Sequence, residues 1–433
     1  MLERKIASQL LHWKEDGGRK ALLIKGARQV GKTTTVRAFA AQHYDHLVEV
    51  NFERMPSARQ AFDGNLDART VLINLSAMGF GPLVPSKTLI FFDEIQACPN
   101  ARTAIKFLVE DGRFDYIESG SLLGINYGEV RSYPVGFEHQ LSMFPLDFEE
   151  YLWACGIARE VVDTLRECFE SRWAVPQFLH QQIMARYREY LVVGGMPEVV
   201  STFLGNVDLE RTLSVQRDIV SGYRNDISKY AGRDKLLAKS VFDAIPSQLS
   251  KQDKRFVLAS LEKNASQRKY GAPTQWLADA GMAYFSFNVR NFDIPLPLTE
   301  NVRLYKLFMV DTGLLCSMML DGGMQSAVLA GDVDINEGAL TGNYVAGELV
   351  KHGKALHYYD HKSRQELDFI FADGRGISII EVKAGKEYKK HASLTAALTL
   401  FKDKVRHAFV LSKNNLELEG GVVYLPLYMS MFI

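Results

Sequence analysis

The stretch ALLIKGARQVGKTTTVRAFAAQ, residues 21–42, decides how the chain begins to fold. ALLIK is short and almost wholly apolar, as a strand buried on both faces would be. Gly26-Ala27-Arg28-Gln29-Val30-Gly31-Lys32-Thr33 follows and fits G-x-x-x-x-G-K-[ST], and a helical pattern runs on from Lys32 to about Gln42. Strand, glycine loop and helix in this order turn backbone N–H groups and a helix N-terminus toward one point, which makes a cradle for an anionic phosphate. Gly26 and Gly31 supply backbone freedom without a Cβ. Lys32 is placed to neutralise the β and γ phosphates, and the Thr33 hydroxyl to ligate Mg²⁺. Thr34, in the first helical turn, joins the expected nucleotide-binding set. Arg28 either touches phosphate or points outward.

About sixty residues downstream, Leu89-Ile90-Phe91-Phe92-Asp93-Glu94 is an apolar strand that ends in two acids. A buried strand tolerates that only at a functional edge. Asp93 is expected to hold the magnesium shell, and Glu94 to orient and deprotonate the water that attacks the γ phosphate in line. The strand-like LVEVNF lies between the two motifs, and this insertion together with Glu94 resembles the additional-strand, catalytic-glutamate class of ATPases; Ras-type GTPases are disfavoured. After the next strand-like run, FDYIESGS, Ser119 and Ser121 are candidates either to sense the γ phosphate or to cap a turn. Arg131 is the candidate arginine finger, with a solvated loop arginine as its alternative. The reading is therefore α/β, a P-loop fold with a parallel sheet, binding ATP and Mg²⁺ and hydrolysing ATP.

The pieces ARQVGKT, IFFDEIQACP, SGSLLG, SYPVG and FPLDFEEYL resemble the prokaryotic AAA+ ATPases that carry a C-terminal domain of unknown function. YLVVGGMPEVV, QWLADAGM, LFMVDTGLL, LDFIF and IIEVKAG extend the likeness almost end to end. The resemblance implies a winged-helix middle domain and a restriction-endonuclease-like C-terminal fold. One departure is Gly136-Phe137, where many relatives place a basic residue after the glycine, and this weakens direct transfer of an arginine finger.

Composition narrows the class. At 433 residues several domains are expected. Lys and Arg number 51 and Asp and Glu 51, so no overall field draws in nucleic acid or acidic lipid, and such a partner must meet a local patch. The four cysteines are widely spaced with no Cys-x-x-Cys pair, which fits a reducing compartment. Leu2, Ile6, Leu10 and Trp13 recur at helical spacing among charges, unlike a signal peptide. The most apolar window, residues 304–320, contains Lys306 and Asp311 and is too short to span a bilayer comfortably. A cytoplasmic protein with no membrane span is the expectation.

Four segments follow from these patterns: an ATPase core over 1–155, a helical lid or connector over 156–230, a winged-helix-like domain over 231–330, and a small α/β domain over 331–433. Residues 231–300 carry 10 Lys and Arg against 7 Asp and Glu, a bias too small to establish DNA binding; a packing adaptor is the alternative. In the last segment Asp368 precedes Glu381-Val382-Lys383 by one hairpin, which resembles the PD-(D/E)xK nuclease core. Period-two geometry puts Glu381 and Lys383 on one strand face. Asp368 and Glu381, with Glu348 from the preceding helix, are the candidate ligands for one or two Mg²⁺ ions, and Lys383 would position or activate water. Glu366 shares the face of Asp368 and either substitutes for it or is solvated. Two activities stay open: a machine that cuts DNA or RNA, and a regulatory ATPase whose C-terminal domain binds protein or nucleic acid without cleaving. A homo-oligomer is possible in either.

Overall fold

The computed structural model describes residues 2–16, 20–120, 134–331, 337–361, 365–374, 376–383, 385 and 387–433. The chain divides into two compact units, one formed by residues 1–144 with 279–281, the other by 145–278 with 282–433.

The first unit is α/β. Its elements are α1 (Ile6–Glu15), β1 (Ala21–Lys25), α2 (Lys32–His43), β2 (His46–Asn51), α3 (Ala68–Ala77), β3 (Thr88–Asp93), α4 (Pro99–Asp111), β4 (Asp115–Gly120) and β5 (Glu138–Ser142). The five strands form a parallel sheet in the order β2-β3-β4-β1-β5. β3 is buried along its whole length, which is why its sequence is an unbroken apolar run rather than an alternation. Phe52, Phe62 and Phe92 meet edge to face or tilted at 5.5–5.9 Å on one side of the sheet. Each such ring removed from water contributes roughly 1.5–3 kcal/mol. Asp67 caps α3 by accepting from the Thr70 N–H, and Gly112 ends α4 in the left-handed region. β5 has no counterpart in the sequence reading. It lies at the sheet edge and its EHQLS is partly exposed and polar, so the apolar signal that marks its neighbours is missing.

The second unit opens with helices α5 (Phe148–Ala154), α6 (Arg159–Ser171), α7 (Gln177–Val193), α8 (Pro197–Asn206), α9 (Leu209–Tyr230), α10 (Lys235–Leu249) and α11 (Gln267–Asp279). β6 (Ala283–Val289) and β7 (Glu300–Met309) follow, then α12 (Thr312–Met319), α13 (Gly322–Ala330) and α14 (Glu337–Lys351). The chain closes with β8 (His357–His361), β9 (Gln365–Asp373), β10 (Gly376–Lys383), α15 (Ala392–Leu400), β11 (Val405–Ser412), β12 (Glu417–Glu419) and β13 (Val422–Pro426). All eight strands share one mixed sheet in the order β12-β13-β11-β10-β9-β8-β6-β7. Strands β6 and β7 thus extend the sheet that carries Asp368 and Glu381. An α5 capping box, Asp147 with Glu150, fixes where the helical part starts.

Among the described residues no helix is long and apolar enough to cross a membrane. The four cysteines are free thiols.

Candidate functional site

Among the described residues, charged side chains gather at several buried places, and two of these carry the sequence motifs. The first is the loop after β1. Gly26 is required by crowding: a Cβ there would stand 2.1 Å from the Met143 carbonyl oxygen. Gly31 is required by conformation, with φ +97° at the start of α2. Gln29 is also left-handed, at φ +64°. Ala27 and Val30 are buried and hold the loop down, while Thr34 is exposed on the first turn of α2. Arg4 reaches the loop from behind, its guanidinium donating to the Val30 carbonyl at 2.9 Å and to the Phe144 carbonyl at 2.6 Å.

Lys32 is 7% exposed, and its ammonium donates to the carbonyls of Gly26 at 2.9 Å and Ala27 at 2.8 Å. Those neutral oxygens satisfy the donors without neutralising the charge. Burial pushes the Lys32 pKa down to about 8, against the pull of Glu94 and Asp93. An anionic phosphate is the partner that such a desolvated, unneutralised ammonium lacks, so the loop fits a nucleotide.

At the end of β3, Asp93 is 2% exposed and bonded from four directions. Its Oδ2 accepts from the Thr33 hydroxyl at 3.0 Å and from the Asn51 amide at 2.8 Å. Its Oδ1 accepts from the Glu94 N–H at 3.2 Å and from the Ser119 hydroxyl. The two sequence motifs therefore meet through Thr33 and Asp93, and an oxygen-rich corner for a hard divalent cation lies beside Lys32. Glu94 has φ +54°, rare for a side-chain-bearing residue, and accepts from the Gln96 amide at 2.6 Å. Arg28 turns to Glu53 at 3.5 Å. Ser121 and Arg131 lie outside the described residues.

Asn51 and Arg4 escaped the sequence reading. Asn51 ends β2 directly opposite Asp93 in the parallel register, so a polar residue near the end of LVEVNF was the available signal. Arg4 carried none, since its bonds go to backbone atoms of distant residues.

The second place is on the mixed sheet. Phe369 pairs with Ile380, so Asp368 and Glu381 follow at the next position of the β9–β10 hairpin. Glu381 contacts Lys383 at 2.7 Å. The Asp368 Oδ2 accepts from the Val382 N–H at 2.9 Å. Burial, and next the charge of Asp368, raise the Glu381 pKa to about 7. Burial opposes ionisation of Asp368 too, but the ammonium groups of Lys254 and Lys306 hold its pKa below the ordinary value. Neither lysine was anticipated. Lys306, on β7 and 1% exposed, lies 2.7 Å from Glu366 and 4.0 Å from Asp368. Glu366 is therefore an ion-pair partner, not a spare ligand.

Glu348 is not brought into this cluster. Its carboxylate accepts from the Phe148 N–H at 3.2 Å and contacts Lys351 at 3.3 Å. Among the described residues no three His, Cys, Asp or Glu side chains gather as a metal-binding group, so Glu348, Asp368 and Glu381 do not form the expected triad.

Comparison with known proteins agrees with the first place and is silent on the second. Residues 18–152 match a family model described as an AAA domain. Residues 184–325 and 337–429 match two domains of unknown function. No functionally curated protein matches the chain. Solved structures that align with it include C. elegans PCH-2, at 11% identity over 46% of this chain and TM-score 0.25; the match spans 57% of that protein's length. The Aeropyrum pernix ORC1 protein in complex with DNA aligns at 12% identity over 77% of this chain and 93% of its own, with TM-score 0.26. Drosophila ORC bound to DNA aligns at 12% over 77% and 97%, with TM-score 0.28. At such scores these likenesses carry no argument. The family match does: residues 18–152, where the two motifs meet, are similar to an AAA domain.

Proposed function

We propose that the protein is a Mg²⁺-dependent ATP hydrolase whose nucleotide state governs the activity of its second unit on a nucleic acid or protein partner. The observation that carries this reading is the convergence of Thr33, Asn51 and Ser119 on the Asp93 carboxylate beside an ammonium, Lys32, whose hydrogen bonds among the described residues go to neutral carbonyls. Lys32 binds the β and γ phosphates through charge-assisted hydrogen bonds. Gly26 to Thr33 supply the loop N–H groups. Thr33 and Asp93 hold Mg²⁺, which when bound neutralises charge developing on the phosphate oxygens. Glu94, oriented by Gln96, takes the proton of the attacking water. Ser119 keeps Asp93 aligned. Arg131 remains the proposed finger, supplied from a second copy of the chain.

The nucleic-acid partner belongs to the reading of residues 231–330 as winged-helix-like and of 331–433 as nuclease-like; the succession α10, α11, β6, β7 has the element order of the former, while β6 and β7 lie in the sheet of the latter. The test is ATP turnover with and without Mg²⁺. Glu94→Gln should retain ATP binding and lose turnover, and undiminished turnover in that variant would remove Glu94 from its role.

A further inference from the structure

The carboxylates of the mixed sheet suit a metal poorly, and the reason lies in the lysines that surround them. Mg²⁺ asks for about six oxygens in octahedral array, several of them water and one or two from carboxylates that no ammonium group already neutralises. Around Asp368 the described side chains are already spent. Glu366 meets the Lys306 ammonium at 2.7 Å, Asp368 meets it at 4.0 Å and accepts from the Val382 N–H, and Glu381 meets Lys383 at 2.7 Å. Lys254 adds a third ammonium nearby; burial lowers its pKa, against the opposing pull of Asp368. Among the described residues, Lys306 and Lys383 thus meet the three acids directly, and Lys254 adds positive charge nearby. The Glu381 Oε2 is buried with no hydrogen-bond partner and the Asp368 Oδ1 has only its 4.0 Å contact with Lys306, and two such oxygens do not make a coordination sphere.

We infer that this site takes no divalent cation: Lys254 and Lys306 provide the positive charge that a metal would otherwise supply to Asp368 and Glu381. The lysines come from outside the hairpin, Lys306 from β7 and Lys254 from the segment between α10 and α11, so their charge is built into the folded unit. A dication entering here would sit against ammonium groups at a partly buried site, where like charges repel. The consequence is a site that does not cleave phosphodiesters by metal-activated water. The inference stands apart from the ATPase reading, which concerns other residues.

The test is Mn²⁺ binding to the full-length protein without nucleotide, followed by electron paramagnetic resonance of the free ion. Wild type, Asp368→Asn and Glu381→Gln are expected to bind the same number of ions. The double variant Lys254→Met/Lys306→Met is expected to gain one, lost again when Asp368→Asn is added. A wild-type protein that holds one Mn²⁺ more than both Asp368→Asn and Glu381→Gln overturns the inference. Two acid variants on different strands guard against a fold defect in either.

Discussion

The nucleotide loop and the mixed-sheet cluster are built from the same residue types, a buried lysine beside strand-borne acids, yet they hold charge in opposite ways. At the loop, Lys32 rests on two carbonyls and Asp93 on hydroxyls, an amide and an N–H, all neutral. Neutral partners orient a charge without cancelling it, so it remains available to a ligand of opposite sign. On the sheet, acids meet ammonium groups and the charges cancel. The difference is what separates a poised site from a closed one.

The contrast can be broken most sharply at Glu94. Glu94→Gln should lower ATP turnover by roughly 10²–10⁴-fold, the usual contribution of a positioned base, while nucleotide stays bound. A matching loss of binding, measured with a fluorescent ATP analogue, would make Glu94 part of the cradle instead. Removing one partner of the sheet cluster should act on stability alone. Asp368→Ala takes from Lys254 its main opposing charge while Lys306 keeps Glu366, and a cost of about 3 kcal/mol is expected in urea unfolding, with ATP turnover unaltered. An unchanged unfolding midpoint would mean that the pairs are solvent-screened and the site less closed than its geometry indicates.

Asn51→Ala removes one of the four bonds to Asp93, a neutral one. A loss of about 1 kcal/mol is expected, or roughly fivefold in Mg²⁺-dependent turnover. The smallest effect concerns pH. Free Lys32 loses its proton near pH 8, whereas bound phosphate favours the charged form and raises that pKa. ATP binding therefore takes up a proton above about pH 8, and affinity should fall as pH rises through that value. Calorimetry in two buffers of different ionisation enthalpy reads the proton directly, and none taken up at pH 8.5 would place Lys32 away from the phosphates.

Much of the first unit was legible because its signals are local. Gly26, Gly31, Lys32 and Thr33 stand within eight residues, and their chemistry follows from the turn they make. Asp93 and Glu94 were legible because two acids ending an apolar strand have few uses. Asn51 was not, since its role comes from the register of β2 on β3 rather than from its neighbours in sequence. Strand β5 was missed because an edge strand needs no apolar run. On the mixed sheet, Asp368, Glu381 and Lys383 were found by spacing, while Glu348 was misassigned: a helical acid near in sequence is bonded instead to the Phe148 N–H, two hundred residues away.

By itself the sequence pointed to the α/β start, the glycine loop and the acids beside it, because spacing along a strand, a turn and a helix fixes which side chains converge. Only the tertiary structure decided the state of those charges. Lys254 and Lys306 are 114 and 62 residues before Asp368, and nothing in their surroundings announces an ion pair. Whether a carboxylate is poised or neutralised depends on which ammonium groups packing brings within a few ångströms of it. Coulomb interactions read distance in space, not distance along the chain.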